Sequence, residues 1–383
     1  MLFQASDPTD VELEVLKEIE DLKQKLRWQL NEPNHRRGSL RRMQFARAVQ
    51  GSNSIEGFDA SLDDAAAIGL GEEPLDADEE TRLALKGYQD AMTYVLQLAG
   101  EDQFEYSLQL IKSLHFMMTN YDLKIRPGLW RQGSIFVRND DSEEIVYEGP
   151  DVDEVPSLMD ELVGSLNEFD DSPPIIKAGL AHLNLVMIHP FRDGNGRMGR
   201  CLQTLVLARE GILSPVFCSI EEYLGRNTQD YYNVLGKVGA GAWHPDHDTQ
   251  PWIQLILAAH LRQARTLLRR VKESEQLWDK LERRIASTNL PDRTIAVLWD
   301  AAMGYRVRNA TYRAIFEESD DDTISEAVAS RDLRQLVEAG LLVSRGEKRG
   351  RFYLPAPELA ALRRDIINTR NPRDDTDPFA LPT

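Results

Sequence analysis

The segment from Ile188 to Arg200, IHPFRDGNGRMGR, most constrains how this chain can fold. An apolar run with helical spacing, Ile175–Ile188, stops at the dipeptide His189-Pro190, and the residue before a proline disfavours the helical conformation. Three glycines lie within the next ten residues, and apolar helical spacing resumes over Arg200–Arg209. The chain must therefore bring two apolar helices together through a tight, glycine-rich turn.

The same segment carries the residue types of a phosphate site. Gly194, Asn195 and Gly196 can point successive backbone N–H groups in one direction, and the helix that follows presents its N-terminus to an anion. Arg197 and Arg200 are three residues apart, so they lie on one helical face, where their guanidinium groups can bind phosphate oxygens. We interpret the turn as a cradle for phosphates.

Two further residues complete a reactive group. Asp193 stands at the lip of the cradle, and one carboxylate together with substrate phosphates suits Mg²⁺, with Mn²⁺ as the alternative. His189 is of the residue type that is neutral near physiological pH and accepts a hydroxyl proton. A base, a metal ligand and an anion site together indicate transfer of a phosphate-bearing group.

The whole string resembles the signature HPFxDGNGRxxR of the Fic family and matches it at every fixed position. The resemblance extends to GLWR at 128–131, to VPSLMDEL at 155–162 and to the pair Tyr231-Tyr232, and it covers about residues 106–261. It implies a helical Fic fold with a β-hairpin flap. It also implies an adenylyltransferase that moves AMP from ATP to a Ser, Thr or Tyr hydroxyl of a target protein.

The resemblance assigns roles residue by residue. His189 would be the base and Asp193 the Mg²⁺ ligand. The ATP phosphates would be bound by Gly194, Asn195, Gly196, Arg197, Met198, Gly199 and Arg200. Tyr231 and Tyr232 would line the adenine pocket, although without the resemblance such a pair is more typical of core packing. The flap would be Ile135, Phe136, Val137 and Arg138, a strand that pairs with the main chain of an extended target segment.

An earlier segment, SNSIEG, is similar to the inhibitory motif S/T-x-x-x-E-G/N of the same family through Ser52, Glu56 and Gly57. Its place ahead of the core resembles the class with an N-terminal inhibitory helix. A carboxylate that faces Arg200 would form an ion pair and occupy the arginine that the γ-phosphate needs. The sequence therefore predicts an enzyme that Glu56 holds inactive and that is able to modify itself.

The C-terminal part has the pattern of a winged helix-turn-helix. Short helical patterns, the last starting at Ser330 and stopping at Gly340, precede a strand, a turn and a strand in LLVSRGEKRGRFYLP. Residues 281–366 hold equal numbers of basic and acidic side chains, although four basic ones cluster near the turn: Arg345, Lys348, Arg349 and Arg351. DNA, another protein and a second copy of the chain in a homodimer all stay open as partners.

These patterns predict a mainly α fold with four parts. Residues 1–105 form an N-terminal helical region, 106–272 the catalytic core, 273–367 a connecting helix and the winged helix, and 368–383 a tail. The stretch from Asp59 to Glu80 is interpreted as a connection without a helix.

Charge and composition exclude several classes of protein. The net charge of −18 opposes non-specific binding to nucleic acid and to anionic lipid. No apolar run reaches the length of a membrane span, and the N-terminus lacks the pattern of a signal peptide. Two cysteines are too few for a disulfide framework, so we expect a soluble, cytoplasmic protein.

Two other functions stay compatible with the sequence. The same site could remove AMP, with Glu56 orienting a water, or transfer UMP or phosphocholine instead. Alternatively, the chain could be a transcriptional regulator whose core senses a nucleotide, in which case His189 would not matter. The target protein is not encoded in any motif of this chain.

Overall fold

The computed structural model describes residues 1–30, 35–138, 145–209, 219–317, 323–347, 350–372 and 376–380. The helices are α1 (Asp10–Leu30), α2 (His35–Ser54), α3 (Leu62–Gly69), α4 (Glu79–Leu98), α5 (Leu108–Thr119), α6 (Val155–Asn167), α7 (Pro174–Ile188), α8 (Asn195–Arg209), α9 (Glu221–Arg226), α10 (Thr228–Gly239), α11 (Gln250–Ala286), α12 (Thr294–Met303), α13 (Asn309–Glu317), α14 (Glu326–Glu338) and α15 (Pro357–Asn368). The strands are β1 (Phe136–Arg138), β2 (Ile145–Glu148), β3 (Gly241–Ala242), β4 (Leu342–Arg345) and β5 (Phe352–Pro355). The mainly helical fold is confirmed.

Helices α7 and α8 form the centre of the molecule. They pack against each other more extensively than any other pair of described helices, and most residues of both are buried. Helices α4, α5, α6 and α11 cover this pair. A helix that is apolar on all sides must lie inside a protein, so the apolar runs on both sides of the glycine-rich turn account for this central position.

The predicted flap is a small sheet beside the end of α7. Strands β1 and β2 are antiparallel, and Val137 lies opposite Tyr147. The order β1-β2-β3 leaves β1 at an edge, with the short β3 pairing parallel to β2 on the other side. Tyr147 fixes the sheet to α7, because its hydroxyl donates to the Met187 carbonyl (2.7 Å). The predicted hairpin turn at 139–142 lies outside the described residues.

Helix α2 reaches the centre through a backbone-to-backbone contact with α9. A Cβ atom added to Gly51 would lie 2.5 Å from the Glu221 carbonyl oxygen, and one added to Gly225 would lie 2.6 Å from the Gly51 carbonyl oxygen. Neither position leaves space for a side chain. These two glycines therefore set how closely α2 approaches the rest of the core.

A buried carboxylate on α9 reinforces this contact. Glu222 accepts two hydrogen bonds from Arg270 of α11, both 2.6 Å long, and pairs with Arg47 of α2 at 3.2 Å. Burial opposes the charged form, but the hydrogen bonds from Arg270 and the nearby arginine charges lower the pKa of Glu222 to about 2. The carboxylate stays charged at neutral pH and ties α2, α9 and α11 together.

Local structure differs from the sequence prediction in three places. Helix α3 forms where a connection was expected, because Ser61 caps its N-terminus (Ser61 Oγ to Asp64 N, 3.0 Å). Helix α11 runs without a break across the boundary proposed at 272/273, since no glycine or proline follows Pro251 within it. Helix α14 is capped by Ser325, while Ser330 lies inside it.

The last part of the chain, residues 294–368, is called the C-terminal unit below. Its helices α12, α13 and α14 precede the antiparallel strands β4 and β5, and α15 returns to pack against α11 and α12. This order of elements is the one that the winged-helix prediction requires, and the designation itself stays a prediction. Lys348 and Arg349 of the basic cluster lie outside the described residues.

Among the described residues, no helix has both the length and the apolar character needed to cross a membrane.

The close contact at Gly51 leads to a stability prediction. Gly51→Ala should destabilise the fold by about 1–3 kcal/mol, because the added methyl group overlaps the backbone of α9. Gly164→Ala in α6 is the matched control. No atom lies within 4 Å of its added methyl group, so it should stabilise the fold by about 0.5–1 kcal/mol. Urea denaturation of both variants measures the difference, and equal stability would contradict the packing described for α2.

Candidate active site

His189 ends α7 in a left-handed backbone conformation, with φ 51° and ψ 57°. This conformation costs a residue other than glycine about 1–2 kcal/mol, so neighbouring contacts must hold it. The guanidinium of Arg131 provides one, since its Nε donates to the His189 carbonyl (3.0 Å). The Arg131 backbone N–H donates to the Pro190 carbonyl (2.9 Å), so Arg131 holds the turn at two points.

The ring of His189 has a defined hydrogen-bonding state. Its Nδ1 lies 3.1 Å from the Val186 carbonyl oxygen. Because a carbonyl oxygen only accepts, we assign the proton to Nδ1, which leaves the lone pair on Nε2. Burial lowers the pKa of His189 below its ordinary value. The imidazole is therefore neutral at pH 7 and able to accept a proton.

Asn195 closes the turn that follows His189. Its Oδ1 accepts from the Phe191 backbone N–H (2.9 Å), and its Nδ2 donates to the Phe191 carbonyl (3.0 Å). Gly194 has a φ of 77°, and its N–H donates to Asp193 Oδ1 (2.6 Å). Asn195 thus stabilises the turn with its side chain, and it is also the first residue of α8.

Sequence reasoning missed His115, the residue of α5 that supports this turn. Its ring stacks on Phe191 with centroids 3.6 Å apart and planes 2° from parallel. Its Nδ1 accepts from the Gly128 N–H (2.8 Å), so its Nε2 carries the proton and donates to the Asp193 carbonyl (2.9 Å). Burial lowers its pKa to about 4. The one sequence signal was a lone histidine within an apolar helical pattern.

Asp193, the predicted metal ligand, is exposed at the lip of the turn. Its Oδ1 accepts from Gly194, and no described residue bonds to its other carboxylate oxygen. The described part of the chain holds no group of three or more His, Cys, Asp or Glu side chains arranged for a metal. This carboxylate therefore fits a Mg²⁺ ion that takes its other ligands from phosphates and water, rather than an ion held by protein alone.

Arg197 and Arg200 extend from the first turns of α8 and are 1% and 2% exposed. The Nη1 of Arg197 donates to the Tyr121 hydroxyl (3.2 Å), and its guanidinium lies over the Phe58 ring, 5.0 Å from the centroid. Its Nε has no hydrogen-bond partner among the described residues. Arg197 thus lies at the turn, and its Nε–H can still donate a hydrogen bond to a ligand.

Arg200 bonds to α2 and to the turn behind it. Its Nε donates to Ser52 Oγ (2.8 Å), and its Nη2 donates to the Ser52 carbonyl (2.9 Å) and to Glu56 Oε1 (2.6 Å). Its Nη1 has no partner in the described part of the chain. Burial would lower the pKa of this guanidinium, but the Glu56 carboxylate raises it, so the charge is retained.

Glu56 lies in the turn that ends α2. Its N–H and that of Phe58 both donate to the Asn53 carbonyl (3.0 and 3.1 Å), and Gly57 completes the turn with a φ of 82°. A methyl group added to Gly196 would overlap Glu56 Oε1. The carboxylate therefore lies over the N-terminal turn of α8, where the sequence predicts phosphate.

Two of the residues predicted to bind phosphate face the interior of the protein. Met198 is fully buried, and a Cβ atom added to Gly199 would lie 2.6 Å from Cδ2 of His182. Gly199 therefore lies at the contact between α8 and α7, and Met198 lies in the core. A role for Met198 and Gly199 in binding phosphate would rest on their backbone and stays a prediction.

The two tyrosines of the predicted adenine pocket differ in exposure. Tyr231 is 1% exposed, and its hydroxyl bonds to Nε2 of His182 (3.1 Å) in a cluster with Trp252. Tyr232 is 45% exposed, and its hydroxyl donates to the Ile55 carbonyl (3.1 Å) beside Glu56. Tyr232 is therefore accessible from solvent, whereas Tyr231 is enclosed, and a role of the pair in binding adenine stays a prediction.

The flap residues occupy the edge of the small sheet. Phe136, Val137 and Arg138 form β1, and the Ile135 carbonyl just before it accepts from the Gly149 N–H (3.2 Å). The side chain of Phe136 is 42% exposed. Arg131 also bonds to the carbonyl of Gly133 (2.7 Å), so the approach to β1 and the His189 turn share one anchor.

Comparison with known proteins agrees with this arrangement. Residues 105–207 match the family model described as the Fic/DOC family. "Protein adenylyltransferase Fic" of Nematostella vectensis is 27% identical over 225 residues, which are 54% of this chain and 44% of the relative. "Protein adenylyltransferase fic-1" of Caenorhabditis elegans is 35% identical over 83 residues, 22% of this chain and 14% of the relative. The chain thus spans less than half the length of these curated relatives.

Two solved structures share the fold. A Fic family protein from Desulfovibrio desulfuricans G20 has a TM-score of 0.59 and 20% identity, covering 93% of this chain and 99% of that one. A fragment of Fic-1 from C. elegans has a TM-score of 0.53 and 23% identity, covering 69% of this chain and 74% of that one. The turn described above lies inside the matched residues, and the chain therefore contains a Fic domain.

Proposed function

We propose that this chain is a protein adenylyltransferase that Glu56 holds inactive. One observation supports this proposal above the others. The carboxylate of Glu56 lies over the N-terminal turn of α8 and pairs with the buried Arg200, beside a neutral histidine. An enzyme that transfers a phosphate-bearing group and inhibits itself needs an anion site next to a base. It also needs an anion of its own that can occupy that site. The curated relatives named protein adenylyltransferase add support for ATP and a protein as the substrates.

In the proposed reaction, Nε2 of His189 takes the proton of a Ser, Thr or Tyr hydroxyl on the target. That oxygen forms a bond to the α-phosphorus of ATP, and the bond from this phosphorus to the bridging oxygen breaks. Pyrophosphate leaves with the bridging oxygen, and AMP stays on the target. The N–H groups at the start of α8 and the guanidinium of Arg197 stabilise the phosphate charge.

Asp193 is the residue that would hold Mg²⁺, or Mn²⁺ as the alternative, and the ion would neutralise part of the ATP phosphate charge when bound. The contact of the Asp193 carbonyl with His115 keeps this carboxylate at the lip of the turn. The arrangement favours one ion shared between protein and nucleotide.

The target protein would bind along β1. This strand has a free edge in the described sheet, and main-chain hydrogen bonds to such an edge select an extended segment without requiring a particular side chain. Segments of the chain itself can also serve as targets, so self-modification is expected. DNA binding and dimer formation through the C-terminal unit, and a cytoplasmic location, stay predictions.

Inhibition follows from competition for one guanidinium. The γ-phosphate of ATP and Glu56 cannot both bind Nη2 of Arg200 and the N-terminal turn of α8. While Glu56 is in place, ATP would bind with its phosphates displaced from the position that reaction requires. Any movement that withdraws Glu56 would therefore activate the enzyme.

Glu56→Gly should increase AMP incorporation by about tenfold or more, because it frees Arg200 for the γ-phosphate. The measurement is protein-bound label after incubation with Mg²⁺ and ATP labelled at the α- or the γ-phosphate. Only the α-label should remain on protein. Ser54→Ala, beside Glu56 but not bonded to Arg200, is the control and should stay at the parent level. Equal, low incorporation in folded parent and Glu56→Gly would refute the inhibitory role, and retention of γ-label would refute AMP transfer.

His189→Ala in the Glu56→Gly background should reduce transfer by about 10²- to 10⁴-fold while ATP still binds. His247→Ala is the matched control, since His247 makes a similar Nδ1 contact with a carbonyl (Val238, 3.2 Å) away from the turn. Because burial lowers the pKa of His189, the rate in Glu56→Gly should hold as the pH falls through about 6.5 and decline only below it. A decline that starts well above pH 6.5 would argue against a partly buried, neutral imidazole as the base.

His115→Ala, also with Glu56→Gly, should weaken the Mg²⁺ dependence of ATP binding by about tenfold, because the Asp193 carbonyl loses its donor. His115→Gln retains an N–H donor of similar reach and should recover part of the loss. Calorimetric titration of Mg²⁺ at fixed ATP measures the effect without turnover. An unchanged titration in a folded His115→Ala protein would show that His115 serves packing alone.

A further inference from the structure

The turn that carries Glu56 is bounded by two helices that both contact the C-terminal unit. Helix α2 ends at Ser54, and α3 begins at Leu62, so the link between them is short. The position of Glu56 over α8 therefore depends on how firmly α3 is held after the link as well as on α2 before it. Contacts on α3 are a means to control the inhibitory carboxylate from a distance.

Arg306 of the C-terminal unit binds the first turn of α3. Its backbone N–H donates to Asp63 Oδ1 (2.7 Å), its Nε pairs with Asp63 Oδ2, and its Nη2 pairs with Asp64 Oδ1. The side chains of Arg306 and Asp64 are 6% and 1% exposed, so water screens this contact little. We call this group of three residues the α3 clamp.

Two other ion pairs extend the same interface. Arg308 pairs with Glu72, just after α3, and Arg42 of α2 pairs with Asp300 of α12 (3.2 Å). The chain is therefore attached to the C-terminal unit both before and after Glu56.

The interface beside these ion pairs is not closely packed throughout. A cavity of about 210 Å³ lies between α2, α3 and the C-terminal unit, with Met43 and Val49 on its α2 side and Tyr305 on the other. The Tyr305 hydroxyl and Nη1 of Arg306, which both belong to the residues around it, have no hydrogen-bond partner in the described part of the chain. An interface with unfilled space and unpaired polar atoms is less firmly held than a close-packed core, so loss of the ion pairs should loosen it.

We propose that the C-terminal unit is the regulatory element of this enzyme, and that the α3 clamp holds Glu56 against Arg200. The inference rests on the proposed inhibitory role of Glu56. Opening the clamp lets α3 and the link move, which lowers the fraction of molecules in which Glu56 occupies Arg200. Any partner that draws the C-terminal unit away from α3 acts as an activator, although it touches neither ATP nor the target.

The test uses the full chain and α-labelled ATP, comparing the parent with Asp63→Asn, Arg306→Gln and the double variant. Each single variant should increase AMP incorporation by about fivefold or more. The double variant should not exceed Arg306→Gln alone, because Arg306→Gln already breaks the ion pair with Asp63 as well as the one with Asp64. Arg284→Gln is the matched control. It breaks an exposed pair with Glu358 (3.0 Å) between α11 and α15 and should leave incorporation at the parent level.

Glu56→Gly separates the two possible failures. If it is active while folded Asp63→Asn and Arg306→Gln stay at the parent level, the clamp is not regulatory. If Glu56→Gly itself transfers no AMP, the proposed function fails instead. Hydrogen exchange gives a readout without activity, because the amides of Glu56 and Phe58 both bond to Asn53. Both amides should exchange faster in Arg306→Gln and in Asp63→Asn, and unchanged exchange would overturn the proposal even if Arg306→Gln folds poorly.

Discussion

The buried guanidinium of Arg200 is the group on which the site depends. A charge that is only 2% exposed must be paired, because an uncompensated charge in the interior is strongly destabilising. Ser52 supplies a hydroxyl and a carbonyl, and Glu56 supplies the opposite charge. The need to satisfy this one cation joins α2 to α8. Under the proposed function, a nucleotide phosphate is the alternative anionic partner of this cation, so the same interaction would serve the fold and the switch.

Rigidity elsewhere in the site comes from contacts between segments that are distant in sequence. His189 has a backbone conformation that is unfavourable for its residue type, and Arg131 holds it from the segment before the flap. His115 holds the Asp193 carbonyl from α5. These supports are hydrogen bonds from side chains to the backbone and a ring stack, so the protein's own contacts organise the turn. Such preorganisation is what electrostatic stabilisation of a developing charge requires.

The proposed control of the site also depends on contacts between segments that are distant in sequence. Glu56 is held by a short turn, the turn by α2 and α3, and these helices by the core at Gly51 and by the C-terminal unit at Arg306. Of these two attachments, the first is a backbone-to-backbone contact with no space to move. The second is a set of ion pairs beside a cavity, and it is therefore the one that a partner can open.

The sequence by itself determined the helical class and the glycine-rich turn, and it pointed to a candidate base, a candidate anion site and a candidate inhibitory glutamate, because periodicity, capping residues and a dense motif are local properties. Only the tertiary structure decided that His115 supports Asp193, that Tyr231 is buried while Tyr232 is exposed, and that Met198 and Gly199 face the interior. It also decided that α11 is continuous and that Arg306 meets Asp63. Each of these depends on which distant surfaces pack together, and no local pattern specifies the partner of a side chain that lies more than two hundred residues away, as Arg306 does from Asp63.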